Sequence, residues 1–346
     1  MSLEQRITQA WQQDSLWLKL LIPLSWLFSV ISGVRRRYLQ SRHQGQGFDA
    51  PVIVVGNISV GGSGKTPLIV ALVAALKQRG FKPGVVSRGY GGKAANYPLG
   101  VNVDTAVAAS GDEPLLIAQL AECPVVVDAD RTAAVSYLLS HNDCDLVLSD
   151  DGLQHYRLHR DIEIVVVDGQ RGFGNGRCLP AGPLRESPER LQQVDFVVLN
   201  GNRGHASVSD RVSSEPMQIA PRRMSQLCSG ISRPIEAWLA EHQAKPVHAV
   251  AAIGNPQRFA DTLASLGLEA RLHSFDDHQA LSAEDLCFLD DWAVIITAKD
   301  AVKVLGSDHS HNAIADNIWV LEIEAQIEGD FIDRLAAQLQ TLKADN

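Results

Sequence analysis

PVIVVGNISVGGSGKTP, residues 51 to 67, joins a β-branched apolar run to a glycine-rich turn and then to the start of a helix, TPLIVALVAALKQRG. A continuous apolar run of this kind suits a strand buried on both faces of a parallel sheet. Gly61, Gly62 and Gly64 allow a tight turn whose backbone N–H groups, with that of Ser63, point inward. Lys65 adds a positive point charge and Thr66 a hydroxyl suited to Mg²⁺, and the helix that follows presents the favourable end of its dipole. The pattern is that of a phosphate-binding loop. Residues Gly61, Gly62, Ser63, Gly64, Lys65 and Thr66 are therefore candidate nucleotide ligands. Ser59 stands where the usual motif has its first glycine. A glycine-rich turn without a ligand is the alternative, and the strand before it and the helix after it argue against that reading.

Outward from this stretch the chain alternates. KPGVVSRGYGG reads as a strand running into a loop, GDEPLLIAQLAEC as a helix, PVVVDADR as a strand and TAAVSYLLSHN as a helix. DLVLSDDGLQH, DIEIVVVDG and VDFVVLNG read as further strands. Strands alternating with helices predict an α/β fold, P-loop NTPase-like, with a mostly parallel sheet covered by helices. Residues 200 to 243 resist assignment and look like a polar loop, the short run PMQIAP and a connection. From Pro246 the alternation resumes with VHAVAAIGN, PQRFADTLASLG, EARLHSF, SAEDLCFLDDW, AVIITAKD and NIWVLEIEA, and FIDRLAAQLQTL reads as a closing helix. The expected organisation is an N-terminal helix over 1–40, a P-loop core over 41–225, and a smaller α/β domain over 226–346.

The chain has 346 residues and a formal net charge of −9, which disfavours a general nucleic-acid surface. Its five cysteines are scattered without a C-x-x-C pair, which argues against a disulfide framework and suits a reducing compartment.

The N-terminal run SLWLKLLIPLSWLFSVISGV, Ser15 to Val34, is followed by Arg35, Arg36 and Arg37. As a helix it would reach about 30 Å, close to a hydrocarbon thickness. A cleaved signal peptide fits poorly, because the basic residues follow the apolar part. Lys19 and Pro23 interrupt a spanning helix. An interfacial helix fits best, with Trp11, Trp17 and Trp26 at headgroup level and the arginines meeting anionic lipid. A helix covering the protein's own core is the remaining reading.

A phosphate-binding loop needs a carboxylate on the metal side. The apolar strand of DLVLSDDGLQH ends in Asp150 and Asp151, on the rim where the loop lies. Asp150 is the candidate Mg²⁺ residue, directly or through water, with Thr66. Arg88, Arg131, Arg171, Arg177 and Arg185 fall at strand ends or in glycine-containing loops, where a planar guanidinium suits phosphate oxygens. The loop Arg171 to Glu186 reads as a mobile lid or substrate loop. His155 and His159 are four apart, but in a loop setting that does not predict zinc.

VGNISVGGSGKTP, SRGYGG, GDEP, DDGLQH, LPAGPLRE and FDDH occur in this order. Together they resemble the tetraacyldisaccharide 4′-kinase family, the lipid A 4′-kinases, over nearly the whole chain. The resemblance implies transfer of the ATP γ-phosphate, with Mg²⁺, to the 4′-hydroxyl of an acylated glucosamine disaccharide 1-phosphate lipid. It implies work at the cytoplasmic face of the bacterial inner membrane, with the chain peripheral or shallowly inserted in the membrane surface, and no obligate protein partner. By motif it assigns Lys65 and Thr66 to nucleotide and metal, Asp150 and Asp151 to the magnesium and phosphate site, and Asp112 with His278 to activation of the acceptor hydroxyl. Arg88, Tyr90, Arg131, His155, Arg185 and Glu186 fall at positions implicated in catalysis or lipid binding. One motif departs: where the family usually reads TEKD, this chain has TAKD at Thr297 to Asp300. The competing functions are a membrane-associated P-loop NTPase acting as a switch or chaperone, and a scaffold that binds nucleotide without chemistry.

Overall fold

A computed structural model describes residues 3–13, 15–43, 47–201, 212–242, 245–277, 279–305 and 317–345. Among these, thirteen strands form one sheet. The first group is β1 (Val52–Gly56), β2 (Pro83–Ser87), β3 (Leu99–Val101), β4 (Val125–Val127), β5 (Leu146–Asp150), β6 (Ile162–Asp168) and β7 (Phe196–Asn200). The second group is β8 (Glu215–Gln226), β9 (Ser232–Pro234), β10 (Val247–Ala251), β11 (Ala270–Ser274), β12 (Ala293–Thr297) and β13 (Ile318–Ile327). The order across the sheet is β11-β10-β12-β13-β8-β7-β6-β1-β5-β2-β4-β3, with β9 on β8. β1 lies between β5 and β6, parallel to both. All its residues are buried, as its β-branched run demands of a strand covered on two faces.

The helices are α1 (Leu3–Gln12), α2 (Ile22–His43), α3 (Lys65–Gln78), α4 (Val107–Ser110), α5 (Asp112–Ala121), α6 (Arg131–His141), α7 (Ile235–His242), α8 (Pro256–Ser265), α9 (Ala298–Leu305) and α10 (Phe331–Asp345). Leu68, Leu72 and Leu76 of α3 and Leu115 and Ile117 of α5 cover one face of the first group of strands. Phe331, Leu335 and Leu339 of the C-terminal helix α10 join that same core, so the chain ends on the half in which its sheet begins.

Residues 215 to 226, expected to be mostly connection, form the longest strand among the described residues. β8 runs parallel to β7 at its start and antiparallel to β13 along the rest of its length. This antiparallel step reverses the direction of β10, β11, β12 and β13. β10, β12 and β13 are parallel to one another and opposed to the first group. The carboxyl ends of both groups consequently point into one cleft, the place where α/β sheets bind ligands.

Two other expectations change. SAEDLCFLDDW holds only a single 3-10 turn at Glu284–Leu286. AVIITAKD is not all strand, because α9 begins at Ala298 inside it.

The N-terminal run is also not one straight helix. A 3-10 segment, Leu16–Leu21, precedes α2, and Pro23 sits in the first turn of α2, where its missing N–H costs nothing. Leu16–Arg42 is the one helical stretch among the described residues that is long and apolar enough to cross a membrane, judged by length and composition. Leu20 is 81% exposed and Trp26 73%. Trp17, Leu24, Leu27 and Val30 are also exposed. A helix covering the protein's own core would bury these side chains. Its other face is bolted down. Trp11 Nε1 donates to the Pro180 carbonyl at 3.1 Å, and Ser25 Oγ donates to the Cys178 carbonyl at 2.6 Å.

Candidate active site

The phosphate-binding loop turns at two places only. Gly61 has φ +96° and Gly64 φ +94°, both in the left-handed region that glycine occupies without strain. At Gly64 a Cβ would also lie 2.5 Å from Asn200 Nδ2. Ser59 is not a left-handed position. It forms an antiparallel bridge with Leu184, and the next residue, Val60, donates its N–H to the Pro183 carbonyl at 2.9 Å. A side chain is therefore tolerated at the first position of the motif, and the departure from glycine carries no structural penalty. Asn57 and Asn200 hold the loop from behind: Asn57 Nδ2 donates to the Gly61 carbonyl at 3.3 Å, and Asn200 Nδ2 to that of Ser63 at 2.9 Å.

Lys65 and Thr66 open α3 and line a large cavity with Gly61, Gly62, Ser63 and Gly64. Lys65 Nζ lies 3.4 Å from Asp151 Oδ1, and Arg185 Nη1 3.2 Å from Asp151 Oδ2. Burial opposes ionisation of Asp151, but Lys65 and Arg185 outweigh it and hold this carboxyl below its ordinary range. Asp151 itself sits at φ +46°, a strained conformation of the kind found at functional positions.

Asp150 is in a different environment one residue earlier. It is buried at the end of β5 and accepts a 3.0 Å hydrogen bond from Ser87 Oγ through one oxygen. Its other oxygen, Oδ1, is buried with no hydrogen-bond partner. Burial, followed by the charges of Glu113 and Asp151, pushes Asp150 up to about 7. An orphaned acceptor in a pocket that already strains to keep the carboxylate charged fits a divalent cation or its bound water, with the Thr66 hydroxyl at the start of α3 lining the same cavity.

Arg88, Tyr90, Arg131 and His155 line the same cavity. Arg131 is buried, with its guanidinium held by the carbonyls of Asp128 (2.9 Å) and Asp150 (3.2 Å). Burial lowers its pKa to about 10, so it stays charged at neutral pH. Burial, with help from Arg131, pushes His155 down to about 4, and the ring is neutral there.

Glu186 stands behind the cavity wall. It accepts from Gln154 Nε2 at 2.8 Å and pairs with Arg190 (3.3 Å) and Arg36 of α2 (3.7 Å). Gln154 in turn accepts from Arg185 at 3.3 Å. A continuous polar path thus links Arg36 to Glu186, Gln154, Arg185, Asp151 and Lys65. Arg36 is committed to this path, so the Arg35–Arg37 cluster is not wholly turned toward solvent.

The five strand-end arginines do not converge. Arg88, Arg131 and Arg185 face the cavity, and Arg171 stands beside Gly61. Arg177 lines a separate groove with Ile22 and Trp26. Nor is Arg171 to Glu186 a loose lid. Phe173, Cys178 and Leu184 are buried in the core, and the Arg185 N–H donates to the Ile58 carbonyl at 2.7 Å. Glycines and polar residues alone suggested mobility; alternating buried side chains were the missed signal.

Asp112 is the first residue of α5, after the N-cap Gly111, and its Oδ1 accepts the Glu113 N–H at 2.9 Å. It is buried, and Lys299 of α9 approaches it to 3.7 Å. His278 lies outside the described residues. His159 bonds Asp161 at 3.1 Å.

The far wall comes from the second group of strands. Ile253, Asn255, Arg258 and Phe259 line it, together with residues 321 to 325 of β13. Arg258 closes one end of the cleft by donating to Asp168 (2.8 Å) and Asn200 (3.4 Å) at the ends of β6 and β7. Sequence reasoning missed Arg258, Asn200, Gln154 and Lys299. Of these, Gln154 was within a quoted motif, and Asn200 closes an apolar strand where a polar residue marks the rim. The cavity also reaches α2, where Phe28 and Ile31 line it.

Comparison with known proteins finds relatives along nearly the whole chain. The family model described as tetraacyldisaccharide-1-P 4′-kinase matches residues 17–340. A tetraacyldisaccharide 4′-kinase of Hahella chejuensis is 45% identical over 344 residues, 98% of this chain and 97% of the relative. One of Pseudomonas fluorescens is 44% identical over 346 residues, covering 100% and 99%. The crystal structure of LpxK from Aquifex aeolicus, in complex with ATP, superposes with a TM-score of 0.74 at 26% identity, covering 94% of this chain and 99% of that one. The phosphate-binding loop, the paired carboxylates of Asp150 and Asp151 and the full-length match agree: the chain belongs to the tetraacyldisaccharide-1-P 4′-kinase family.

Proposed function

We propose that the chain transfers the γ-phosphoryl group of ATP to the 4′-hydroxyl of an acylated glucosamine disaccharide 1-phosphate in lipid A biosynthesis, at the cytoplasmic face of the bacterial inner membrane. The observation that carries this is a single cavity that runs from the phosphate-binding loop to the exposed apolar helix α2. A phosphate donor at one end and an acylated acceptor at the other match that gradient.

In this reading Lys65 neutralises charge on the transferring group, and Arg185 keeps Asp151 aligned with Lys65. Thr66 and Asp150 would hold Mg²⁺, which when bound supplies positive charge to the nucleotide phosphates. Asp112 and His278 take the proton from the acceptor hydroxyl, the carboxylate orienting the imidazole and stabilising its charged form. Arg88 and Arg131 offer guanidinium forks to phosphate oxygens, Tyr90 lines the acceptor side, and neutral His155 presents a polar edge without adding charge. Glu186 acts from behind, through Gln154. α2 and the 3-10 segment before it lie in the membrane surface, with Leu20, Trp26 and Leu27 toward lipid.

The test is ADP formation with and without acylated disaccharide 1-phosphate, combined with mass analysis of the lipid. Acceptor-dependent turnover that adds one phosphate to the lipid is expected. Turnover at the same rate without acceptor would select the switch or chaperone reading instead.

A further inference from the structure

The TAKD segment has a built geometry that the phosphate chemistry does not use. Thr297 ends β12 at the cleft, and its Oγ1 donates to Asp300 Oδ2 at 2.7 Å while accepting the Asp300 N–H at 3.2 Å. Asp300 is fully buried and accepts from the Ala252 N–H at 3.3 Å and from Lys303 Nζ at 2.9 Å. Lys303 also donates to the Ala252 carbonyl at 2.8 Å. The first turn of α9 is thereby tied to the end of β10. Ala298 is partly buried between two apolar clusters, so alanine suits the position.

Lys299 leaves this fixed turn and reaches α5, against which α9 packs through Val302 at the rim of the cleft. Its Nζ lies 3.3 Å from Glu113 and 3.7 Å from Asp112, both on α5, and 3.8 Å from Asp277 on its own side. Burial opposes its charge, but Glu113, Asp112 and Asp277 outweigh it and raise its pKa. Without the ammonium, two carboxylates on one bank would face a third on the other, in surroundings where water screens them poorly.

We infer that Lys299 is a positioning residue: it latches the second group of strands over α5 and fixes the Asp112 carboxylate for its work on the acceptor hydroxyl. The inference rests on the role proposed above for Asp112. It separates Lys299 from the phosphate-binding lysine, because Lys299 acts through carboxylates and Lys65 acts on the nucleotide.

Steady-state kinetics on the full chain test it. Lys299→Met should lower kcat by roughly tenfold or more, with the KM for ATP changed less than about threefold. Lys299→Arg should retain most activity. Asp277→Asn placed on Lys299→Met should recover part of the loss, because it removes the carboxylate that opposes α5 across the cleft. A general packing role would not produce that rescue. If Lys299→Met does not fold, Lys299→Gln with the same second substitution carries the comparison. Normal kcat in Lys299→Met or Lys299→Gln, a loss confined to the KM for ATP, or no recovery with Asp277→Asn would overturn the latch. Full activity in Asp112→Asn would instead overturn the reading on which it rests, and the two failures are told apart in one set of assays.

Discussion

The two banks of the cleft are built alike, each from parallel strands whose carboxyl ends face inward, yet they carry different kinds of residue. The first bank is dense with charge: Lys65, Arg88, Arg131, Arg185, Asp150 and Asp151 all line it. The second bank packs on the first through α9, whose Val302 is buried in one apolar cluster with Leu115 and Leu116, and two of its cations reach across at the rim. Arg258 reaches Asp168 and Asn200 at one end, and Lys299 reaches α5 at the other. The difference separates chemistry from closure. One bank carries the groups proposed to act on the phosphates, and the other adds the long side chains of Arg258 and Lys299, which reach across to it.

Breaking the first bank should cost most. Lys65→Ala is expected to lower kcat at least roughly a hundredfold, about 3 kcal/mol of lost electrostatic stabilisation, with thermal stability nearly unchanged. Wild-type turnover in the folded variant would remove Lys65 from the mechanism.

The proposed acceptor-activating pair comes next. Asp112→Asn and His278→Ala should each lower kcat by roughly a hundredfold, and the double variant should be little worse than the more damaging single one. Asparagine can accept the Glu113 N–H as Asp112 does, so loss of that helix-end bond would not explain such an effect in Asp112→Asn. Multiplicative losses would show that the two residues act separately.

Breaking the other bank at Arg258 should be milder. Arg258→Ala removes the contact to Asn200, which supports the loop carbonyl of Ser63. The KM for ATP should rise roughly five- to tenfold, about 1 to 1.4 kcal/mol, with kcat at saturation little changed. A fall in kcat with unchanged KM would place Arg258 among the chemical residues.

The smallest effect concerns stability and pH. His155 titrates near 6.5 when unfolded and at about 4 in the folded protein. Between those values the unfolded chain binds the additional proton, so this contribution is complete above pH 6.5 and is lost as pH falls toward 4. Because the ring is only partly buried, the loss should be on the order of 2 kcal/mol or less. Chemical denaturation at neutral pH and near pH 4.5 should show a shallower decline for His155→Gln than for the wild type. Parallel declines would place the acid sensitivity elsewhere.

The first bank was the more legible in sequence, and the reason is locality. Strand, glycine turn and helix follow one another within residues 51 to 78, so the pattern and the structure have the same span. β8 was not legible. It carries Pro216, Pro221, Arg222 and Arg223, is mostly half-exposed, and bulges against β13 near Glu322 and Ile323. A bridging ribbon of that kind lacks the apolar run that marks a strand covered on both faces. Helix α9 was hidden for the opposite reason, since AVIITAKDAVKVL is apolar through the junction. The Thr297 and Asp300 spacing was the available signal for a helix start. The charged crossings of Arg258 and Lys299 depend on partners up to 187 residues away in the chain, from Asp112 to Lys299, and no local pattern encodes them.

The two-sided attachment of α2 has a practical consequence for preparing the protein. Its outer face displays Leu24, Trp26 and Leu27, which invite aggregation once the protein is in plain buffer. Cutting the helix away looks like the obvious remedy, but its inner face carries Ser25 and Arg36, which brace the segment that bears Arg185. Amputation would therefore trade solubility for a misshapen wall beside the phosphates. Repainting the outer face with polar residues, while leaving Trp11, Ser25 and Arg36 in place, should give a well-behaved sample that still turns over a short-chain acceptor.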